Sequence, residues 1–270
     1  MQILTLGPKF SGSYKIAEKY FPNSIKTPTE KPEDLLNEII KNKELFALVP
    51  IKNPATGVST SWLQRIINHK AHIWDTLTYS PKLCLASQSR EITTIVTTPE
   101  YFEMSKDVIN KEFKQLRVFQ VPDVKNTIEH CLYNKQVAGI LPIELSQLLK
   151  LESLAENLNN PQESQVTFAL INANPNHKIK NKSLIGITFE HSKSTNHLLN
   201  ILHPFKEHNV EIYNVYSLPQ KDKQENQSFC FEIQGDLRQA RFRQIKVFLE
   251  RDLKICQIHE LGGQTNMFGQ

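Results

Sequence analysis

Residues 47–58 read Ala-Leu-Val-Pro-Ile-Lys-Asn-Pro-Ala-Thr-Gly-Val, and they continue an apolar run that begins at Leu45. An uninterrupted apolar run of this kind is typical of a parallel strand buried on both faces. The second half of the stretch is polar and carries Gly57, which suits a turn. Beyond the turn, the apolar residues of 62–67 recur at helical spacing. The stretch therefore predicts a strand, a turn and an amphipathic helix, in that order.

The same alternation of strands and helices continues on both sides of this stretch. Predicted strands cover 3–6, 45–51, 92–96, 118–121 and 137–141, and predicted helices cover 11–20, 32–40, 62–67 and the segments beginning at Thr98, Asp123 and Pro142. Apolar and polar residues alternate over 73–85, which predicts extended strands crossing between two lobes. Because the alternation restarts near residue 92, we expect two α/β lobes. Ligands of such folds bind in the crevice between lobes, at strand ends and helix N-termini.

The pattern changes after the polar run 172–178, Asn-Ala-Asn-Pro-Asn-His-Lys, which has no periodicity and predicts a linker. Beyond it, predicted strands cover 183–190, 210–217, 228–233 and 254–261, and predicted helices cover 194–208 and 236–250. The order βαββαβ is that of a ferredoxin-like unit. We therefore expect a two-lobed domain at 1–172, a linker at 173–182 and a C-terminal domain at 183–270.

The composition is that of a globular protein and disfavours several other classes. Of the 270 residues, 39% are hydrophobic and 22% are charged, which suffices for packed cores. The 32 basic and 28 acidic side chains leave a net charge of +4, too balanced to predict nucleic-acid binding. No apolar run approaches the length of a membrane span, and the short apolar N-terminus lacks the basic region of a signal peptide. We expect a protein of the cytoplasm with no membrane partner.

The cysteines and histidines do not suggest a disulfide framework or a metal site. The nine histidines approach no metal-ligand spacing, so we expect no metal. The four cysteines form no CxxC pair, lie far apart among apolar neighbours and are expected to be small buried side chains: Cys84, Cys131, Cys230 and Cys256.

Several segments resemble the prephenate dehydratase family, in that family's order and over nearly the whole chain. The block 47–58 is similar to its Val-Pro-Ile-Glu-Asn-Ser motif, which a glycine follows. Similar matches occur at 7–9 (Gly-Pro-Lys), 121–122 (Val-Pro), 137–140 (Val-Ala-Gly-Ile) and 166–170 (Val-Thr-Phe-Ala-Leu). The C-terminal unit resembles the ACT domain that follows the catalytic domain in this family, and 261–262 (Leu-Gly) matches that domain's closing pair.

The resemblance implies an α/β fold in which a two-lobed, periplasmic-binding-protein-like (type 2) domain precedes a ferredoxin-like βαββαβ ACT domain. It implies that prephenate is converted to phenylpyruvate, with loss of water and carbon dioxide, in phenylalanine biosynthesis. No cofactor is implied, because expulsion of carbon dioxide and hydroxide makes the ring aromatic. The expected partners are an aromatic carboxylate such as prephenate, an amino-acid effector at the ACT domain and a second copy of the chain.

The resemblance also implies the site residues. The family's catalytic threonine-arginine-phenylalanine motif aligns with Val166-Thr167-Phe168. Phe168 is retained, and a one-residue slip of the alignment makes Thr167 the catalytic hydroxyl. The arginine is absent in either register. The implied substrate-binding residues are Ser11, Ser13, Lys52, Asn53, Gly57 and Thr98. The implied positions for a regulatory ligand are Asn196, Leu198 and Ser217. Each retained residue also has a structural interpretation, such as a turn for Gly57, a helix cap for Thr98 and a core position for Phe168.

The departures from the family pattern concern charge. Lys52 stands where the family has glutamate, and the family's arginine is absent from 166–168. A substrate dianion still needs a cation, and Lys52, with Lys9 near the first helix, would supply one in altered form. The alternative is that Lys52 points into solvent after sequence drift.

Three functions remain open on these residues. The chain is a dehydratase-like enzyme, or it resembles a related prephenate decarboxylase that lacks the threonine-arginine-phenylalanine motif. The third possibility is a non-catalytic family member that binds an amino acid, an aromatic carboxylate or a protein partner.

Overall fold

The computed structural model describes residues 1–7, 9, 11–175, 178, 182–189, 197–219, 227–251 and 257–264. The chain divides into two compact units. The first unit comprises Met1–Ile51, Ser59–Leu77 and Phe168–Gln270, and the second comprises Lys52–Val58 and Thr78–Thr167. The division does not test the predicted domain boundaries near residues 172 and 183, which remain a prediction.

Strands and helices alternate through most of the described residues. The strands are β1 (Gln2–Leu6), β2 (Ile25–Thr29), β3 (Leu45–Asn53), β4 (Gly57–Val58), β5 (His72–Tyr79), β6 (Leu83–Ser87), β7 (Thr94–Thr97), β8 (Arg117–Gln120), β9 (Val137–Pro142), β10 (Glu152–Ala155), β11 (Val166–Asn172), β12 (Lys182–Phe189), β13 (Ile212–Ser217), β14 (Gln227–Gln234) and β15 (Gln257–Gln264). The helices are α1 (Gly12–Tyr20), α2 (Pro32–Lys41), α3 (Thr60–Asn68), α4 (Pro99–Glu112), α5 (Val124–Tyr133), α6 (Ile143–Leu148), α7 (His197–Glu207) and α8 (Ala240–Arg251).

The first unit contains one continuous sheet in the order β13-β14-β12-β15-β5-β11-β3-β1-β2. Strand β1 pairs in parallel with both β2 and β3, as the buried apolar run at 45–51 predicted. Strand β2 was not predicted, because its residues alternate between exposed and half-buried and it contains Pro28. Proline is tolerated at the edge of a sheet, and β2 is the terminal strand of this one.

The C-terminal part of the first unit has the predicted βαββαβ order. Its strands run β13-β14-β12-β15, and every neighbouring pair is antiparallel. Helices α7 and α8 pack with this sheet around a core made of Ile185, Ile187, Ile201, Phe205, Val210, Phe231, Ile233, Phe242, Ile245 and Leu249. The ferredoxin-like arrangement predicted from the hydrophobic periodicity is therefore confirmed.

The second unit is built on a sheet in the order β10-β6-β9-β7-β8. Strand β7 is parallel to β8 and β9, while β6 is antiparallel to β9 and β10. The core of this unit contains Leu83, Leu85, Ile95, Ile109, Ala138, Ile140 and Leu158. Strand β10 was not predicted, because its four residues are exposed or half-buried and carry no apolar signal.

The described cysteines confirm the expectation of small buried side chains. Cys84, Cys131 and Cys230 are free and buried, whereas Cys256 lies outside the described residues. Burial raises the pKa of the Cys131 thiol to about 12, so the thiolate is not formed near neutral pH. A side chain at Gly139 would meet Cys131 Sγ at 2.6 Å, so the thiol fills space that a larger residue would need.

Two strand ends differ from the pattern of the sequence. Asn172 begins the polar run 172–178, yet it is the last residue of β11, because its buried amide donates hydrogen bonds to the carbonyl oxygens of Lys43 (2.9 Å) and Leu45 (2.6 Å). The last strand continues past its predicted end at 261 to Gln264, and within it Gly262 pairs in parallel with Ile73 of β5. The C-terminal sheet is therefore joined directly to the first sheet.

No helix among the described residues is long and apolar enough to cross a membrane. Within the same residues, histidine, cysteine and acidic side chains nowhere form a group of three that could hold a metal ion.

Candidate functional site

The first two predicted site residues lie where β1 leads into α1: Ser11 is the N-cap of the helix and Ser13 is in its first turn. Both hydroxyls donate to the carbonyl oxygen of Leu6, at 2.8 and 2.6 Å, and their oxygens lie 3.2 Å apart. Ser11 also caps α1 by accepting from the amide of Tyr14. Gly7, with φ +86°, lets the chain turn here, where a side chain would meet the Cβ of Ser11 at 3.3 Å. The two hydroxyls are therefore fixed in place at the end of β1.

Thr5 was missed by the sequence analysis and lies at the same end of β1. Its side chain is fully buried, and its hydroxyl finds no hydrogen-bond partner among the described residues. A buried hydroxyl without a partner costs free energy, so a polar group beside it would be stabilising. An isolated threonine inside an apolar strand gives no sequence signal of its own, which is why Thr5 was not singled out.

The block quoted first, 47–58, folds as the end of β3 followed by a tight β-hairpin. Lys52 pairs with Val58, and Asn53 pairs with Gly57. Gly57 has φ +76° with open space around it, which confirms its interpretation as a turn glycine. The Asn53 side chain accepts a hydrogen bond from the Ala55 amide at 2.9 Å, which orients the side chain and leaves its NH₂ group to donate elsewhere.

Lys52 is exposed on this hairpin, and its ammonium group makes no ion pair with any described residue. The hairpin belongs to the second unit together with Thr98 and Thr167. The five predicted residues of the second unit are therefore Lys52, Asn53, Gly57, Thr98 and Thr167.

Thr98 follows the last residue of β7 and caps helix α4. Its hydroxyl accepts from the Tyr101 amide at 3.3 Å, so the cap interpretation is confirmed. Pro99 occupies the first position of this 14-residue helix. The side chain that caps its N-terminus, Thr98, is neutral. Helix α5 differs, because the carboxylate of Asp123 occupies its N-terminus. The cap of α4 is therefore neutral, although Glu100 lies in the first turn of this helix.

Thr167 and Phe168 lie at the start of β11. Phe168 is 5% exposed and packs as a core residue, whereas Thr167 is half-buried between two buried neighbours, Val166 and Phe168. Because successive side chains of a strand point to opposite faces, the Thr167 hydroxyl lies on the face away from these two. A hydroxyl in this position is accessible and held by a rigid strand.

Neither arginine of the second unit replaces the one that is absent beside Thr167. Arg90 is held by Glu152, with a nitrogen–oxygen distance of 2.6 Å. Arg117 pairs in register with Thr94, at the opposite end of the parallel β7–β8 pair from Thr98. Lys52 therefore remains the candidate cation among the predicted residues of this unit.

The predicted positions for a regulatory ligand differ in their burial. Asn196 lies outside the described residues. Leu198 packs partly buried against the core under α7 and α8, and Ser217 is exposed on β13. The neighbouring Leu218 is 3% exposed, so it is a core side chain.

Comparison with protein-family models shows that this chain is similar to the prephenate dehydratase family. The family model described as "Prephenate dehydratase" matches residues 3–176, which is more than half of the chain. No curated protein matches the sequence.

Several solved structures have the same fold over nearly the whole chain. The prephenate dehydratase of Staphylococcus aureus matches with a TM-score of 0.74 and 16% identity, over 97% of this chain and 99% of that one. The prephenate dehydratase of Arthrobacter aurescens in complex with L-Phe gives 0.83 and 16%, over 98% and 90%. GqqA, described as a novel type of quorum-quenching acylase, gives 0.77 and 13%, over 99% of both chains. At these identities the matches show the fold alone, and they confirm the predicted α/β architecture of the periplasmic-binding type.

Proposed function

Because this chain belongs to the prephenate dehydratase family, we propose that it binds prephenate and converts it to phenylpyruvate. The observation that carries the proposal is the Thr167 hydroxyl. It stands half-buried on β11, in the segment that aligns with the family's catalytic motif, and a one-residue slip makes it the motif's hydroxyl. The adjacent Phe168 packs in the core and would fix the strand behind it.

The reaction needs little from the protein beyond positioning and one proton. The carbon–carbon bond to the ring carboxylate breaks, and its electron pair enters the ring as carbon dioxide leaves. The carbon–oxygen bond to the ring hydroxyl breaks on the opposite side of the ring, and the departing hydroxide takes up a proton to become water. A hydroxyl group held beside this oxygen, as we propose for Thr167, would donate the hydrogen bond that assists its departure.

Prephenate carries two carboxylates, so its binding needs positive charge and hydrogen-bond donors. The NH₂ group of Asn53 and the N-terminus of α4 at Thr98 offer donors, and Lys52 offers a charge. Ser11 and Ser13 belong to the first unit, and their role in substrate binding remains a prediction from the resemblance. Lysine lacks the planar fork of arginine, so its hold on a carboxylate is less strict in orientation.

The second candidate function is binding without catalysis, and a specific observation favours it. The family's arginine is missing at 166–168, and neither Arg90 nor Arg117 is placed to substitute for it. A protein with this substitution would bind an aromatic carboxylate and would not convert it to a product. The third candidate function is a decarboxylase-like reaction, in which carbon dioxide leaves and the ring hydroxyl stays.

We expect Lys52→Ala to weaken binding of prephenate about tenfold, or ~1.4 kcal/mol, because the variant removes the proposed cation. Isothermal titration calorimetry at low and moderate salt measures this, and the loss should shrink as salt rises. Lys135→Ala, which removes an exposed lysine from the turn before β9, is the matched control and should bind as wild type does. Equal affinity of wild type and Lys52→Ala would show that Lys52 is only a solvated surface residue.

We also propose that residues 183–270 form an ACT domain, on the strength of their ferredoxin-like order. Phenylalanine is expected to bind there with no better than millimolar affinity. The resemblance aligns the glutamate-serine-arginine-proline motif of the family's ACT domain with residues 216–219. Leu218 stands at the arginine position, and its side chain is buried in the core. Calorimetric titration with phenylalanine is the measurement, and a micromolar affinity would contradict this expectation.

The proposal also covers the oligomeric state of the protein and its location in the cell. We expect a homodimer in the cytoplasm, because a twofold dimer is the commonest assembly of soluble proteins and ACT-type sheets commonly pair. One chain has a mass of 31.1 kDa, and light scattering at micromolar concentration should give twice that mass. A monodisperse mass of a single chain would refute the dimer.

A further inference from the structure

Two histidines, far apart in sequence, meet where the C-terminal βαββαβ unit joins the first sheet. His72 begins β5 and His259 lies on β15. Their rings are stacked, with centroids 5.3 Å apart and planes inclined by 27°. His259 is 8% exposed, and His72 is half-buried. Both belong to the first unit, so the stacking lies inside one compact body.

Each histidine donates a hydrogen bond across this junction. His72 Nδ1 lies 2.9 Å from the carbonyl oxygen of Glu260, and His259 Nε2 lies 3.0 Å from the carbonyl oxygen of Ala71. A carbonyl oxygen only accepts, so each of these nitrogens carries a hydrogen. The second nitrogen of each neutral ring is therefore unprotonated. Next to the two bonds, Gly262 and Ile73 form the backbone pair that joins β15 to β5.

The surroundings favour the neutral form of both rings. Burial lowers the pKa of His72 and of His259, and the pKa of His259 falls further through its proximity to His72 and Lys70. The hydrogen bonds to the backbone carbonyl oxygens and the Glu260 carboxylate act in the opposite direction, but burial outweighs them and the pKa of each ring is lowered. The Glu260 carboxylate is also paired with Lys246 of α8 at 3.1 Å.

His72 also lines a cavity of about 330 Å³, whose charged walls are the two ion pairs Asp236–Arg238 and Lys246–Glu260. The carboxylates that face this end of the junction are thus already engaged by Arg238 and Lys246. Neither is an uncommitted counter-ion for a protonated His72.

We propose that His72 and His259 form a proton-sensitive clamp that holds the C-terminal βαββαβ unit on strand β5 while both rings are neutral. Protonation leaves the two N–H donors in place. It also puts two like charges side by side in a partly buried position, which opposes the stacking. Strand β5 runs on to Tyr79, and its last residues, from Thr78, belong to the second unit. The clamp therefore acts on a strand that both units share.

The direction of the pH dependence follows from the lowered pKa values. A group whose pKa is lower in the closed state than in the open state binds more protons when open, so acid favours opening. The clamp is fully closed above the ordinary histidine pKa of 6.5 and is lost progressively as the pH falls below it. The device is separate from the proposed catalysis, since none of its residues belongs to the predicted site.

Hydrogen exchange of the intact chain at about pH 7.5 and about pH 5.5, corrected for intrinsic rates, tests the clamp. In wild type, the protection of β15 residues 258–262 and of 71–74 should fall about tenfold or more at the lower pH. In the double variant His72→Asn/His259→Gln that fall should be absent. Asparagine can place an amide N–H near the position of Nδ1 and glutamine near that of Nε2, so the bonds remain while titration is removed. His203→Gln, which changes an exposed histidine of α7, should retain the wild-type response.

A second measurement keeps the proposal falsifiable if the double variant does not fold. Nuclear magnetic resonance titration of the histidine rings in wild type, assigned with single variants, should give pKa values below 6.5 for His72 and His259. Titration of both rings at or above the ordinary value would overturn the clamp. So would an equal loss of protection in wild type and the double variant.

Discussion

Replacing Gly262 with alanine is expected to lower the free energy of unfolding by about 3 kcal/mol or more. Gly262 has φ +96°, which alanine adopts only with strain. An added Cβ would also lie 2.2 Å from the carbonyl oxygen of Ile73. That oxygen belongs to the backbone of the paired strand β5, so it cannot move away without disturbing the junction.

Gly57→Ala is the matched control, because it introduces the same methyl group at another positive φ. No atom lies within 4 Å of the Cβ position at Gly57, so only the backbone strain applies, ~1–2 kcal/mol. Urea unfolding followed by the fluorescence of Trp62 and Trp74, with a check for two-state behaviour, compares the two variants. Similar small losses in both would contradict the close approach of β15 to β5.

The sequence predicted the elements whose side chains follow a strong period. The apolar run before Lys52 and the helical stripes of α2 and α3 are core-facing, and burial of apolar side chains determines where such segments go. Strands β2 and β10 escaped prediction because both are partly exposed and neither carries an apolar pattern. Strand β11 was not predicted as a strand either, although most of its residues are buried.

The β15–β5 junction shows a second limit of sequence reasoning. Gly262 was noticed only as part of a terminal leucine-glycine pair, and its partner Ile73 lies nearly 190 positions earlier. Nothing local in either segment specifies that pairing. His72 and His259 were likewise invisible as a pair, because histidines at this separation match no metal-ligand or catalytic spacing.

The candidate site was predictable where a motif block carries it. The hairpin 52–58 and the cap at Thr98 have the local structures that their turn and cap residues predicted. Thr5 was not predictable, because a buried hydroxyl without a partner is recognised only from three-dimensional packing.

Replacing Thr167 with valine is expected to reduce kcat/KM for prephenate by about 10²–10³-fold. Valine keeps the shape and β propensity of threonine, so β11 should fold unchanged while the hydroxyl is lost. Because the proposed hydrogen bond acts on the departing hydroxyl, kcat should fall and KM should change little. The rate is followed as phenylpyruvate formed per unit time, with circular dichroism to confirm folding.

Thr94→Val provides the matched control in the same unit. Thr94 is half-buried at the start of β7, and ligands of such sheets bind at the carboxyl ends of the parallel strands. This variant should turn over prephenate as wild type does. Equal activity of Thr167→Val and wild type would remove Thr167 from the mechanism, and loss in both variants would point to a general effect on folding.

The most direct measurement is the ultraviolet spectrum of the product when the wild-type protein is incubated with prephenate under conditions in which prephenate alone is stable. The proposed function predicts the absorbance of phenylpyruvate in alkali, formed in a one-to-one ratio with carbon dioxide. Prephenate bound but recovered unchanged would contradict catalysis and favour the binding protein. Carbon dioxide released with a product that keeps the ring hydroxyl would contradict the dehydratase and favour the decarboxylase-like outcome.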